Sequence, residues 1–248
     1  MSGTTMRLSG AALLIALGSA IVAILAGFGS RAGWWHFRTG FQLLAWAAYG
    51  GLGSAVLGLA GGLASLWQGP RRGAWYALMA LFIGLLVVGV PWRMRQTARQ
   101  VPPIHDITTD TDNPPRFVAM LPLRTDAANS ADYGGPEIAK QQHAAYPDLS
   151  PAFLPLPRPT AFALALQTAK EMGWDIVAAD QEEGRIEASD TTFWFGFKDD
   201  VVVRIHANGD GSLIDVRSVS RVGTSDVGTN ARRIRAYLRK LNEAGARS

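Results

Sequence analysis

The chain has 248 residues and no cysteine, which excludes a disulfide framework, a thiolate metal site, a cysteine nucleophile and a lipobox. Acidic residues are missing from everything before Asp106, and lysine is missing from residues 1–100. That first stretch carries eight arginines instead: Arg7, Arg31, Arg38, Arg71, Arg72, Arg93, Arg95 and Arg99. The remainder sets sixteen Lys and Arg against twenty carboxylates, a net of −4. The overall charge of +4 therefore comes from a segment too apolar to be a water-soluble domain, and an evenly basic nucleic-acid binder is excluded.

What is present first is three long uncharged runs, at residues 8–28, 41–67 and 74–92. Each offers about 20 residues, enough for a hydrocarbon core of roughly 30 Å at about 1.5 Å per residue. A cleaved signal peptide is the rival for the first run, but that run is too long and lacks a clean small-x-small site. Trp34, Trp35 and Trp92 fall at one expected interface, while Trp67, Trp75 and Tyr76 bracket the short loop at the other. No Asp, Glu, Lys or His lies inside a run, so the buried ionisable groups of a transporter or channel are lacking and a lipid-embedded anchor is expected. Gly50, Ser54, Gly58 and Gly62 recur every fourth residue, a small-residue ridge. It serves packing among the three spans or, as the alternative, a homo-oligomer or a protein partner. Arg31, Arg38, Arg93, Arg95 and Arg99 flank the downstream domain's side, against Arg7, Arg71, Arg72 and the α-amine on the other, a lean toward a cytoplasmic domain.

Eleven of thirteen prolines fall between Pro102 and Pro159. Proline removes a donor and biases its predecessor away from helix, so residues 101–157 are expected to be an extended connector between a three-span module, 1–100, and an α+β domain, 158–248. In the last segment Phe162, Ala165, Leu166, Ala169 and Met172 share a helical face that Gly173 ends. Four strands follow, at 174–180, 185–197, 201–207 and 213–220. Val201, Val203 and Ile205 alternate with Val202, Arg204 and His206, and Ile214 and Val216 with Asp215 and Arg217, giving one apolar face and one charged face. A last helix over 226–243 sets Val227, Ala231, Ile234, Leu238 and Leu241 inward and turns Arg232, Arg233, Arg235, Arg239 and Lys240 outward. The expected fold is thus three transmembrane helices plus a four-stranded antiparallel sheet with two helices on one face.

Three segments carry a family resemblance: Pro103 to Asp110 (PIHDITTD), Gly196 to Ile205 (GFKDDVVVRI) and Asp215 to Asn230 (DVRSVSRVGTSDVGTN). Together they resemble the bacterial domain of unknown function 1499 family over about Pro102 to Leu241. The three-span front end is similar to an arrangement common in that family, while other members carry a lipoprotein signal and export the domain. The resemblance therefore implies the cell envelope, with the chain in the inner membrane and the domain on the periplasmic side, against the arginine count. It implies no reaction.

The candidate ligand or junction site gathers His105, Asp106, Asp110, Asp199, Asp200, Arg204, Ser220, Arg221, Ser225, Asp226 and Asn230. Its centre is the passage from Ser220 to Asn230, where Gly223 and Gly228 permit unusual backbone angles and Ser225 or Asp226 caps the last helix. That helix start, with Arg221 beside it, suits an anion; the plainer alternative is that Asp226 occupies the amides and Arg221 pairs with the connector carboxylate Asp106 or Asp110. The spacing is not a P-loop. Asp106, Asp110 and Asp112 could gather a hard cation, but without a glycine turn or a distal glutamate they are expected to form turns. His105 next to Asp106 makes no catalytic dyad, since adjacent residues seldom face each other. Lys198-Asp199-Asp200 is expected as a hairpin turn, and Phe193, Trp194, Phe195 and Phe197 as strand residues of the core. No nucleophile, metal set or cofactor fingerprint is recognised, so a binding or structural accessory is expected ahead of an enzyme or of a small anion-binding or lipid-ligand-binding domain.

Overall fold

The computed structural model describes residues 2–68 and 71–247. These form two compact units, one of residues 1–97 with Phe193–Gly196, the other of Ala98–Thr192 with Phe197–Ser248.

The first unit is built on three helices, α1 (Ser2–Arg31), α2 (Phe37–Gln68) and α3 (Arg71–Gln100). All three are long and apolar enough to cross a membrane. Large apolar side chains such as Leu14, Trp46 and Leu66 stay exposed on them, which a water-soluble bundle would bury. The small residues of α2 face its neighbours: a Cβ on Gly50 would strike Ser19 of α1, and one on Gly58 would come within 2.7 Å of the Ala77 carbonyl of α3. Ser54 is fully buried and returns its hydroxyl to the Gly51 carbonyl at 2.8 Å. The loop between Trp67 and Trp75, residues 69–70, lies outside the described residues, as do the side chains of Arg71 and Arg72.

The second unit contains a six-stranded antiparallel sheet. Its strands are β1 (Asp106–Thr108), β2 (Ala152–Leu154), β3 (Asp175–Asp180), β4 (Arg185–Thr191), β5 (Lys198–Asn208) and β6 (Gly211–Ser220). The order is β1-β6-β5-β4-β3, and β2 pairs with β6 as well, so β1 and β2 share the outer edge of β6 end to end. Four strands were expected from the sequence. The two additional ones come from the proline-rich segment and are three residues each, too short to show a two-residue period. The same segment also holds a 3-10 turn, Leu121–Arg124, and helix α4 (Pro136–Ala145), which begins on the proline that suits a first helical turn.

Helices α5 (Arg158–Glu171) and α6 (Thr229–Gly245) cover one sheet face. Phe162, Ala165, Ile234 and Tyr237 pack there against Val203 and Val216 in one continuous core. Trp174 stacks on Tyr237 at 4.9 Å, and the Tyr237 hydroxyl donates to the Ala165 carbonyl at 2.9 Å, which ties α6 to α5. The opposite face is covered by the segment after β1, where Phe117 and Met120 meet Val202 and Val219.

Three local expectations are corrected. Lys198, Asp199 and Asp200 open β5, and the turn lies at 192–197, with Gly196 at φ +70°. Their polarity suggested a loop because the arginines that pair with both aspartates lie far away in sequence. Phe193, Trp194 and Phe195 are turn residues grouped with the helical unit, and Phe193 is exposed while Phe195 is buried. Arg233, expected outward, is buried.

Candidate functional site

Alternation along β5 sends Asp199 and Asp200 to opposite sides of the sheet, and the expected site residues divide the same way. On the helix-covered side, Asp199 accepts from Arg233 Nη2 at 2.6 Å, and Arg233 Nε reaches Asp190 at 2.7 Å. Asn230 is fully buried; Arg233 Nη1 and the Ser218 hydroxyl donate to its Oδ1, the latter at 2.8 Å. Its Nδ2 donates to the His105 carbonyl at 2.9 Å and to Ser220 Oγ at 3.1 Å. His105 thus enters the junction through its backbone.

Asp226 closes this junction as a cap. Its carboxylate accepts the amides of Gly228 at 2.8 Å and Asn230 at 2.6 Å, using donors that a bound anion would need. Burial raises the Asp226 pKa above its ordinary value; the two amides oppose that shift and the charge of Asp199 adds to it. Ser225 Oγ accepts the Val227 amide at 3.2 Å and donates to the Pro102 carbonyl at 3.3 Å. Gly223 and Gly228 take the positive φ expected of them, +95° and +73°. Val227 also sits at φ +54°, a strained angle for a β-branched residue.

On the other side, four carboxylates are buried in ion pairs or amide cradles. Arg217 grips Asp106 through Nε at 2.9 Å and Nη2 at 2.7 Å, and donates also to the carbonyls of Pro115 and Ala131. Arg204 bridges Asp215 and Asp110, both at 2.8 Å. Asp110 turns its other oxygen to the amides of Asp112 and Asn113, the turn expected of it. Arg221 meets Asp200 at 2.9 Å and donates to the Leu123 carbonyl at 2.7 Å, while Arg124 binds the same carboxylate from the other side. The expected pairing of Arg221 with Asp106 or Asp110 is therefore replaced. Asp200 pairs with Val219 and so lies diagonally across from Arg221, just past the end of β6, whereas Asp106 and Asp110 already serve Arg217 and Arg204. Glu187, fully buried, accepts the amides of Val118, Ala119 and Met120 at 2.8 to 3.0 Å. Among the described residues no three His, Asp or Glu side chains gather as a metal would require.

His105, Asp106, Arg221 and Asn230 do not converge on open space. The open space is elsewhere, a cleft of about 940 Å³ over the charged face that Phe117, Tyr133, Arg116, Lys140, His143 and Arg217 help to line. The Arg217 guanidinium, part of this lining, lies over the rings of Phe117 and Tyr133, 5.5 Å from each centroid. The Tyr133 hydroxyl is buried without a hydrogen-bond partner among the described residues. Burial, with the charge of Asp106 adding, pushes its pKa up to about 12, so it stays a neutral donor. Asp112 and Asp132 lie on the same lining, and His143 Nε2 contacts Thr111 Oγ1 at 3.0 Å. No residue pattern signals this cleft, because most of its lining comes from the proline-rich segment, which has no period. Arg124 and Glu187 were likewise missed: one acts from a 3-10 turn and the other binds backbone.

An α+β domain whose antiparallel sheet carries helices on one face and an ion-paired proline-rich cover on the other thus follows three apolar helices. Residues 106–241, more than half of the chain, match the family model described as protein of unknown function (DUF1499), and the chain belongs to that family. No curated protein matches it in sequence.

Proposed function

We propose that this is an integral membrane protein of the bacterial cell envelope, anchored in the inner membrane by α1 to α3, whose DUF1499 domain is a periplasmic binding or structural accessory rather than an enzyme. The observation that carries this reading is the commitment of the Arg221 to Asn230 passage. Its arginine, its capping carboxylate and its buried asparagine all bond within the domain. Groups with free valence sit at the cleft instead: the Tyr133 hydroxyl, and Arg116 and Lys140, which enter no ion pair among the described residues. Two such cations and a neutral donor beside Phe117 and Leu121 favour an amphipathic occupant with an anionic group.

Native mass spectrometry of the full-length protein, released from its own membranes, tests this. The expected result is a bound species that survives Arg221→Ala and is lost from an Arg116→Ala/Lys140→Ala double variant of unchanged stability. A species lost only with Arg221 would favour the alternative, a small-anion or lipid-ligand site in the loop. Turnover of such a species would favour an enzyme.

A further inference from the structure

The helical unit has its cations at defined heights. α2 runs antiparallel to α1, because a Cβ on Gly50 would meet Ser19 and one on Gly61 would meet Ser9. It runs antiparallel to α3 as well, where Gly51 lies against Gly84 and Gly58 against Ala77. Counting outward from the Gly50 and Ser19 contact, twelve residues on each helix reach Arg38 and Arg31 together. Thirteen residues out from Gly51 and Gly84 lie Arg38 and Thr97, so Arg95 and Arg93, two and four residues before Thr97, fall toward the same end of the helices. Arg38, Arg93 and Arg95 are exposed, and Arg31 donates to the Phe193 carbonyl at 2.7 Å. Trp34 and Trp92, both largely exposed, sit at the same end.

We infer that this collar is a binding surface for anionic phospholipid headgroups. The inference rests on the membrane-spanning reading. No acidic residue precedes Asp106, so the helices supply no counter-charge of their own. The tryptophans set this end at headgroup depth, where they are most at home. Guanidinium groups there can extend to the phosphates and bind them bidentately, and each cation beside an anionic surface contributes about fivefold in affinity. Like charges gathered at one end of the helices are relieved by anions between them, which favours an anionic over a zwitterionic lipid.

The test is reconstitution of the full chain into nanodiscs holding equal amounts of phosphatidylcholine and phosphatidylglycerol, followed by native mass spectrometry of the lipids retained on mild release. The wild type should retain phosphatidylglycerol in preference. Arg38→Gln/Arg93→Gln/Arg95→Gln should lose that preference, the corresponding lysine variant should keep most of it, and raised salt should weaken it. Arg31 is left intact because of its bond to the Phe193 carbonyl. Arg239→Gln, on the exposed side of α6, should change nothing. A wild type that integrates without lipid preference, a glutamine variant as selective as the wild type, or a preference lost with Arg239 instead would overturn the collar. Failure to integrate into any nanodisc would overturn the membrane-spanning reading along with it.

Discussion

Asp199 and Asp200 are neighbours in β5 whose carboxylates serve opposite faces of one sheet, Asp199 receiving Arg233 at 2.6 Å and Asp200 receiving Arg221 at 2.9 Å. The first pair fixes α6 to the sheet, and the second fixes the proline-rich cover, since Arg221 also holds the Leu123 carbonyl. Removing one member of a buried pair is costly, because the partner is left charged without water.

Glu187 tests how the cover is held. Three consecutive amides, those of residues 118 to 120, converge on its carboxylate. Glu187→Ala should destabilise the domain by about 1 to 3 kcal/mol, the cost of leaving buried donors unpaired, and by more if the amides cannot reach water. Hydrogen exchange should show lost protection at those amides first.

Asp226 gives a pH signature. Its folded pKa lies above the unfolded value, so the stability linked to it is fully present below the unfolded pKa and is lost as pH rises through the folded one. Asp226→Asn keeps an acceptor for the amides without the charge. Thermal midpoints of the two proteins compared from about pH 4 to about pH 8 should therefore show the wild type losing ground to the variant as pH rises. A difference that is flat, or that moves the other way, would contradict a raised Asp226 pKa in the folded domain.

The extent of the cooperative domain is a third test. A chain beginning at residue 98 should unfold in one transition that a chelator does not shift. One beginning at residue 150 lacks β1, the Asp106 partner of Arg217, the Arg124 partner of Asp200 and the amides that hold Glu187. It should not fold.

Sidedness follows from the helix count. Reporter fusions after Gln68 and after Arg99 should report opposite sides of the membrane; the same side for both would sink the three-span reading. Labelling of a cysteine introduced at Gly209 from the cytoplasm alone would overturn the periplasmic assignment and leave the spans standing.

Regular elements with a full period could be read from the sequence. Phe162 to Met172 and Ala231 to Leu241 gave both covering helices, and Val201, Val203 and Ile205 gave the core face of β5. What escaped was structure made by distant partners. Three residues around Ile107 show no alternation, yet they become a strand once β6 offers an edge. Arg233 sits among outward arginines of α6 and points inward only because Asp190 and Asp199 wait there. Arg221 bonds internally, but its partner depends on a strand register that pairs Asp200 with Val219 and so brings it diagonally across from Arg221, and residue types alone could not choose it.

The proposed role of the Arg221 to Asn230 passage as a structural junction rests on the pairing of Arg221 with Asp200, and a double-mutant cycle on those two residues puts it to the test. Denaturant unfolding of the domain should show Arg221→Ala costing about 1 to 3 kcal/mol, Asp200→Asn costing more, and the double variant losing less than the sum. An Arg221→Ala domain of full stability that no longer retains a bound ligand or membrane partner would contradict the claim and make Arg221 a binding residue.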